Sequence, residues 1–316
     1  MPSLNILVTH KLTEQQVAAI CEIDENVKVT QCKPADTINH IETADILICW
    51  GSLNLQELLP KAPRLKWIHT LSAGIDGILT PDLVNSKIIL TNSRGIHGIS
   101  MAEHVLGIIL SFTRGILIAH DNQKNHVWDR IHVEEIYDKS IAIIGLGSIG
   151  REIAKRAKAL GMKVSAVKHT MTTELFVDKL YTADQLPQAL STADFIVVTL
   201  PLTPDTYQLF SLDMFGKMKK SAYFINVARG AIVNEADLIT ALNDKIIRGA
   251  ALDVFAEEPL PEDSPLWNTP NLFVSPHIAA KSPYYMDRSL KLFMENLNKF
   301  LQNAEMLNVI NKERGY

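Results

Sequence analysis

The chain has 316 residues and a mass of 35.2 kDa, which predicts about two domains. Of its residues 47% are hydrophobic and 21% are charged, a composition typical of globular proteins with filled cores. A net charge of −4 argues against a nucleic-acid-binding surface along the whole chain. The first residues do not resemble a secretory leader, and the most apolar stretch, Val105–Ala119, is interrupted by Arg114. We therefore expect a soluble, cytoplasmic protein without a membrane partner.

Three cysteines, Cys21, Cys32 and Cys49, all lie within the first fifty residues. Their number is odd, and their spacing matches neither a disulfide framework nor a zinc motif. We expect three buried free thiols and no metal site.

Short runs rich in β-branched residues alternate with segments of helical periodicity, which predicts βαβ units and parallel sheets. The first third of the chain contains strands predicted at Asn5–Thr9, Asp45–Trp50, Trp67–Thr70 and Ile88–Thr91, and a helix at Thr13–Glu22. A long apolar helix is predicted from Ser100 to about Asn122.

After Tyr137 the alternation restarts more regularly. The predicted strands are Ile141–Gly145, Lys163–Lys168, Asp194–Thr199, Ala222–Val227, Gly249–Val254 and Leu272–Ser275. The predicted helices are Ile149–Leu160, Asp184–Leu190, Ser211–Lys217 and Glu235–Asn243, followed by a last amphipathic helix at Asp287–Gln302. Six strands with interleaved helices are typical of a doubly wound dinucleotide-binding fold.

An apolar strand runs into a GxGxxG motif formed by Gly145, Gly147 and Gly150, and a helix follows. The first glycine permits a tight turn, the second lets a pyrophosphate approach the backbone, and the third allows close packing of helix on strand. Ser148 and Ile149 lie at the amino end of that helix, whose N–H groups favour phosphate. Because the motif begins a six-strand pattern, we predict dinucleotide binding rather than a bare glycine turn.

The second strand of this pattern ends without the carboxylate that would bind the ribose of NAD. Lys168, His169 and Thr170 stand there instead. A lysine beside an imidazole and a hydroxyl suits a 2′-phosphate, so we predict NADP as the preferred cofactor and NAD as the alternative. The competing interpretation is a solvated lysine at a strand end.

Three side chains follow the last three strands, at the sheet edge where ligands bind in such folds. Arg229 offers a planar set of donors for a carboxylate and a carbonyl oxygen. His277 can exchange one proton with that oxygen, and an ionised Glu258 beside it would favour the imidazolium. Each residue alone has a plain structural explanation. Together they predict hydride transfer between a nicotinamide cofactor and a 2-keto acid.

The sequence resembles the D-isomer-specific 2-hydroxyacid dehydrogenases, which include glyoxylate/hydroxypyruvate reductases, over nearly its whole length. The resemblance rests on the glycine motif and on Leu71-Ser-Ala-Gly74-Ile-Asp76, Ala102-Glu103-His104, Leu200-Pro201-Leu-Thr203-Pro-Asp-Thr206, Asn226-Val-Ala-Arg229-Gly230, Val233-Asn234-Glu235, Ala251-Leu-Asp253-Val-Phe255, Glu258-Pro259-Leu260 and Pro276-His277-Ile278.

This resemblance implies that Arg229, Glu258 and His277 are the catalytic residues. It implies substrate binding at Ser72, Ala73 and Gly74, with the amides of the last two holding the carboxylate, and additional cofactor contacts at Pro201, Thr206, Val227, Ala228 and Asp253. It also implies an α/β architecture of two doubly wound parallel-sheet domains. A Rossmann domain at 98–284 is inserted into a flavodoxin-like substrate domain formed by 1–97 and 285–316. A homodimer through the helix beginning near Ser100 is implied as well.

No basic cluster awaits a substrate phosphate, which favours small acids such as glyoxylate, hydroxypyruvate or pyruvate-like compounds, mainly in the reductive direction. Because no regulatory extension follows Tyr316, we expect the short form of the family rather than the longer phosphoglycerate dehydrogenases. A nucleotide-sensing protein of the corepressor type is the alternative from another class. A formate dehydrogenase is disfavoured, since formate oxidation gives no hydroxyl proton for Glu258 and His277 to manage.

Overall fold

The computed structural model describes residues 3–75 and 77–313; Asp76 and Tyr316, both named above, lie outside the described residues. The strands are β1 (Leu4–Val8), β2 (Val27–Gln31), β3 (Ile46–Cys49), β4 (Trp67–Thr70), β5 (Ile89–Asn92), β6 (Ser140–Ile144), β7 (Lys163–Val167), β8 (Lys179–Tyr181), β9 (Phe195–Val198), β10 (Tyr223–Asn226), β11 (Gly249–Leu252) and β12 (Leu272–Val274). The α-helices are α1 (Glu14–Cys21), α2 (Pro81–Asn85), α3 (Gly98–Thr113), α4 (Ile116–Lys124), α5 (Ser148–Ala159), α6 (Leu186–Thr192), α7 (Leu212–Gly216), α8 (Glu235–Asn243) and α9 (Tyr285–Leu301).

The chain forms two compact units, one of Met1–Ile96 with Ser282–Tyr316 and one of His97–Lys281. The sequence predicts the domain boundaries after residue 97 and before residue 285, within three residues of these breaks. The first unit has a five-stranded sheet of order β2-β1-β3-β4-β5, and the second has a seven-stranded sheet of order β12-β11-β10-β9-β6-β7-β8. All pairings between these strands are parallel. The predicted fold class of two doubly wound parallel sheets is confirmed, with the flavodoxin and Rossmann strand orders.

The central strands of the second unit are buried on both faces, as parallel sheets require. Successive residues of a strand point to opposite faces, and here they enter two different hydrophobic clusters. In β6, Ile141 and Ile143 belong to one cluster, and Ala142 and Ile144 to the other. Burial on both faces leaves only the strand ends accessible, so functional side chains must come from the loops that follow the strands.

The first unit is completed by α9, the predicted last helix. Its Phe293 stacks on Trp67 of β4 with ring centroids 4.9 Å apart, and both side chains are fully buried. Leu290 and Leu297 of the same helix join that cluster. The apolar stripe of α9 therefore covers one face of the five-stranded sheet.

One predicted helix and the predicted burial of two cysteines were wrong, and several short elements were missed. The long helix after Ser100 is two helices bent by 65°, because Gly115 adopts φ 63° and ends α3. The sequence patterns missed the short edge strands β2 and β8, and of the three cysteines only Cys49 is buried. Within the described residues no single helix is long and apolar enough to cross a membrane, and only the bent α3–α4 pair passes that test jointly.

Candidate active site

The turn between β6 and α5 has the geometry that its glycines predict. Gly145 has φ 103°, and a Cβ there would lie 3.0 Å from the backbone of Thr199 and Leu200. A Cβ on Gly150 would lie 2.5 Å from the carbonyl oxygen of Gly145, so helix and strand are in close contact. A Cβ on Gly147 would meet no atom within 4 Å. The backbone at this glycine therefore faces open space, which fits the close approach of a pyrophosphate.

The amino end of α5 fits an anion as well. Gly147 is the N-cap residue, and the described structure shows no side chain capping the helix there. The first-turn N–H groups, which begin at Ser148 and Ile149, carry the positive end of the helix dipole. These residues are suited to hold a dinucleotide pyrophosphate.

The end of β7 carries a compact ionic cluster. Lys168 lies with Nζ 2.5 Å from Oε1 of Glu174 and 2.7 Å from the hydroxyl of Thr172. Arg151 of α5 donates to the same carboxylate through Nε at 2.8 Å and Nη2 at 2.7 Å. The Lys168 side chain is only 19% exposed, so it is not a solvated lysine. His169 and Thr170 are exposed beside it.

The loop after β9 is ordered by Thr206. Its hydroxyl donates to the carbonyl oxygen of Pro201 at 2.8 Å and accepts from the N–H of Thr203 at 2.7 Å. The loop after β10 begins with Val227 and Ala228, which are nearly buried. These four predicted cofactor residues, Pro201, Thr206, Val227 and Ala228, thus lie in loops that follow two neighbouring strands of the sheet.

A buried asparagine shapes the loop that carries Arg229. The amide of Asn226, the last residue of β10, donates to the carbonyl oxygen of Arg229 at 2.9 Å and accepts from the N–H of Ala228 at 3.0 Å. The Asn226 side chain is fully buried, so both bonds are shielded from water. This asparagine fixes the turn from which the guanidinium extends.

His277 and Glu258 are in direct contact. Nδ1 of His277 lies 2.7 Å from Oε2 of Glu258. The other carboxylate oxygen accepts from the N–H of Phe255 at 3.0 Å, so the carboxylate is anchored at both oxygens. Because Glu258 faces Nδ1, the ring nitrogen that remains for a substrate is Nε2. Half of the His277 side chain is exposed to solvent, as a proton donor to a substrate requires.

A buried carboxylate holds the segment on which His277 lies. Asp253, 1% exposed, accepts from the hydroxyl of Ser275 at 2.6 Å and from the N–H groups of Ile278 at 3.0 Å and Ala279 at 2.9 Å. His277 itself has φ 51° and donates its N–H to the carbonyl oxygen of Asp253 at 2.8 Å. The described contacts therefore make Asp253 the residue that positions His277.

The Arg229 loop also packs tightly against the Glu258 loop. A Cβ built on Gly230 would lie 1.8 Å from the carbonyl carbon of Phe255, which only a glycine avoids. Asp253 donates its N–H to the carbonyl oxygen of Asn226 at 3.0 Å. The three loops after β10, β11 and β12 are thus connected to one another at one edge of the sheet.

Two other histidines lie near these groups. Burial, and to a smaller extent the charge of Arg229, lowers the pKa of His97 to about 4. Burial also lowers the pKa of His104, although the nearby Asp253 opposes this shift. Both rings are therefore neutral near pH 7, and neither is suited to donate a proton. His104 lies instead 3.2 Å from the hydroxyl of Ser275, where it supports the His277 segment.

The predicted substrate-binding residues lie in the loop after β4, in the first unit. The hydroxyl of Ser72 accepts from the N–H of Gly51 at 3.0 Å and donates to the carbonyl oxygen of Gly74 at 2.8 Å. Asn92 donates to the carbonyl oxygen of Ala73 at 2.7 Å. These bonds fix the loop, and the role of the Ala73 and Gly74 amides stays a prediction.

Sequence reasoning missed Arg151 and Glu174. Arg151 directly follows the last glycine of the motif, which is the signal that could have identified it. Glu174 lies in an irregular loop that no pattern marks. Among the described residues, no group of three or more His, Cys, Asp or Glu side chains could hold a metal ion.

The fold and this site define a nicotinamide-dependent oxidoreductase with one nucleotide-binding unit. Residues 106–279 match the family model for the D-isomer specific 2-hydroxyacid dehydrogenase NAD-binding domain. The chain belongs to this family, which confirms the predicted family and its NAD(P) cofactor class. The family assignment supports a hydride-transferring enzyme and not the corepressor-type alternative.

The relatives include both long and short enzymes. The chain is 33% identical over 98% of its length to a D-3-phosphoglycerate dehydrogenase of Methanocaldococcus jannaschii, but spans only 59% of that protein. It is 33% identical to a glyoxylate reductase of Thermofilum pendens, with 88% of this chain and 84% of that one aligned. An NADPH-dependent glyoxylate/hydroxypyruvate reductase of Sinorhizobium meliloti, solved with NADP and sulfate, has a TM-score of 0.86 at 29% identity, with 99% and 100% of the two chains covered.

Proposed function

We propose that this chain reduces a small, unphosphorylated 2-keto acid to the D-2-hydroxy acid, with NADPH as the preferred coenzyme. The observation that carries the proposal is the 2.7 Å contact between Nδ1 of His277 and Oε2 of Glu258. A histidine paired with a carboxylate at the edge of a dinucleotide-binding sheet is suited to deliver one proton to a carbonyl oxygen.

A coenzyme held at the glycine turn of Gly145, Gly147 and Gly150 would supply the hydride, with the two electrons that reduce the carbonyl carbon. His277 donates the proton on Nε2 to the carbonyl oxygen as the C=O π bond breaks, and is left neutral. Glu258 stabilises the imidazolium before this step and keeps the ring oriented. The Arg229 guanidinium binds the substrate carboxylate and polarises the carbonyl group. Water reprotonates His277 between turnovers.

Two observations support the substrate class. Both the Thermofilum and the Sinorhizobium relatives are named for glyoxylate, and the second also for hydroxypyruvate. The three predicted catalytic residues include one guanidinium, that of Arg229, which suffices for one carboxylate. We therefore place glyoxylate, hydroxypyruvate and pyruvate-like acids before phosphorylated ones.

The coenzyme preference rests on the cluster at the end of β7. Lys168 and Arg151, together with Glu174, give a net positive charge at the end of β7, the strand end near which the ribose of a coenzyme binds in this fold. A 2′-phosphate needs such charges, whereas the hydroxyl of NADH does not. The Sinorhizobium enzyme is described as NADPH-dependent and was solved with NADP.

A homodimer and a cytoplasmic location belong to the same proposal. Apolar side chains are exposed on and after α4, among them Ile116 at 51%, Ile118 at 55% and Trp128 at 95%, which is typical of an interaction surface. All three cysteines are free thiols, as a reducing compartment favours. Sedimentation equilibrium should give twice the mass of one chain.

A steady-state screen tests the function directly. About ten 2-keto acids are offered with NADPH and with NADH, and the absorbance of the reduced nicotinamide is followed. We expect turnover with the small acids and a higher kcat/KM for NADPH. Catalytic efficiency with NADH that equals or exceeds that with NADPH would reject the preference, and the absence of turnover with every acid would reject the reductase.

A further inference from the structure

One carboxylate lies among the cations at the end of β7. Glu174 accepts two hydrogen bonds from the guanidinium of Arg151, one from Nζ of Lys168 and one from the hydroxyl of Thr172 at 3.0 Å. Only 8% of its side chain is exposed, although it lies in an irregular loop. A carboxylate with this many charge-assisted partners occupies a site that is already built for an oxyanion.

The same cations are those on which the proposed NADPH preference rests. Lys168 follows the second strand of the nucleotide-binding sheet, where the ribose of a dinucleotide lies in this fold. We propose that Glu174 is an internal occupant of the 2′-phosphate site, paired with Lys168 and Arg151 until the phosphate of NADPH displaces it. This inference rests on the proposed function, because it concerns the same coenzyme site.

The charge of the cluster shows what the displacement involves. The hydrogen bonds from Arg151 and then Lys168 hold the pKa of Glu174 at about 2, so protonation does not remove its charge near neutral pH. Two cations and one anion leave a single positive charge at the site. NADPH must break the ion pairs of Glu174 before its phosphate can form equivalent ones, whereas NADH leaves them intact. Glu174 thus lowers the preference of the site for NADPH over NADH.

The competing role for Glu174 is that of the carboxylate missing from the end of β7. In that role Glu174 would accept hydrogen bonds from the ribose hydroxyls of NADH, and its loss would weaken the binding of NADH. The two roles predict different effects of E174Q. If Glu174 occupies the phosphate site, the variant should bind the 2′-phosphate more tightly. If Glu174 binds the ribose, the variant should bind the ribose more weakly.

Calorimetric binding of 2′,5′-ADP and of 5′-ADP, without turnover, distinguishes these roles. Removal of one like charge a few ångströms from the phosphate is expected to tighten 2′,5′-ADP about ten-fold in E174Q. The affinity for 5′-ADP should change less than about two-fold. E174A should behave like E174Q, with tighter binding of 2′,5′-ADP and little change for 5′-ADP. E152Q is the matched control, because Glu152 is the neighbour of Arg151 on α5 but pairs with Arg156. The E152Q protein should bind both ligands with an affinity near that of the wild type.

Unchanged or weaker binding of 2′,5′-ADP in both Glu174 variants would overturn the inference, and weaker binding of 5′-ADP would favour the ribose role instead. K168A separates this failure from that of the proposed function. If K168A weakens 2′,5′-ADP while E174Q does not tighten it, only the internal occupant is excluded. If K168A leaves 2′,5′-ADP unchanged, the NADPH site itself is excluded.

Discussion

The end of β12 and the end of β7 hold their functional side chains by different means. His277 lies on a segment held by backbone hydrogen bonds and by the buried carboxylate of Asp253. At the end of β7, Nζ of Lys168 contacts two side chains, those of Thr172 and Glu174, and the N–H of Lys168 donates to the carbonyl oxygen of Tyr181 at 3.0 Å. The first region relies on backbone groups and a buried carboxylate, whereas in the second the proposed displacement of Glu174 would exchange one anion for another. A chemical step needs fixed positions, and a choice between coenzymes needs partners that can be replaced.

The largest expected effect comes from the removal of the proton donor in the fixed region. His277→Ala should lower kcat by about two to four orders of magnitude, the usual worth of a positioned acid. Coenzyme affinity, measured by nicotinamide fluorescence, should change little, because His277 contacts Glu258 and Asp253 and not the cluster of Lys168. An unchanged kcat would mean that another group delivers the proton.

Distortion of the same region without the loss of a functional group is a second test. Gly230→Ala places a methyl group against the carbonyl of Phe255, so the Arg229 loop must move. We expect about a hundred-fold loss of kcat/KM, the cost of a displacement near 1 Å, and a lower Tm. Gly216→Ala is the control, since a Cβ there meets nothing within 4 Å and the residue lies in α7. Equal effects of both variants would contradict the tight packing of the two loops.

The partner of His277 is expected to matter less than His277 itself. Glu258→Gln removes the charge that contacts Nδ1 of His277, so kcat should fall about ten-fold, as for a lost hydrogen bond to a charged group. Steady-state kinetics at saturating substrate measures this loss. An unchanged kcat would exclude a role for the pairing of Glu258 with His277 during turnover.

The smallest effect is expected in the exchangeable region. Lys168→Ala should raise KM for NADPH about ten-fold through the loss of one charge-assisted hydrogen bond, with KM for NADH within about two-fold and kcat unchanged. Steady-state kinetics with both coenzymes measures the ratio. An equal rise for both coenzymes would show that Lys168 supports the loop rather than the phosphate.

Sequence patterns predicted the buried strands well because those strands are continuous apolar runs. They missed β2 and β8 because these two edge strands carry polar residues such as Lys28 and Lys179. The glycine motif, Arg229, Glu258 and His277 could be identified because each follows the carboxyl end of a predicted parallel strand, and these ends lie on the same side of the sheet. Glu174 could not, because its position depends on how an irregular loop folds back onto Arg151, 23 residues earlier in the chain.

The docking of α9 on β4 has a consequence for biosynthesis. A ribosome completes residues 97–281 before it releases α9, so the Trp67 face of the first sheet lacks the part of its cover that α9 supplies while the second unit is made. Trp67, which is fully buried in the folded protein, therefore lacks its stacking partner Phe293 until α9 has been synthesised. A messenger RNA truncated between the codons for residues 97 and 281 yields a chain without α9. In such a chain the Trp67 face of the first sheet is more exposed and more prone to aggregation.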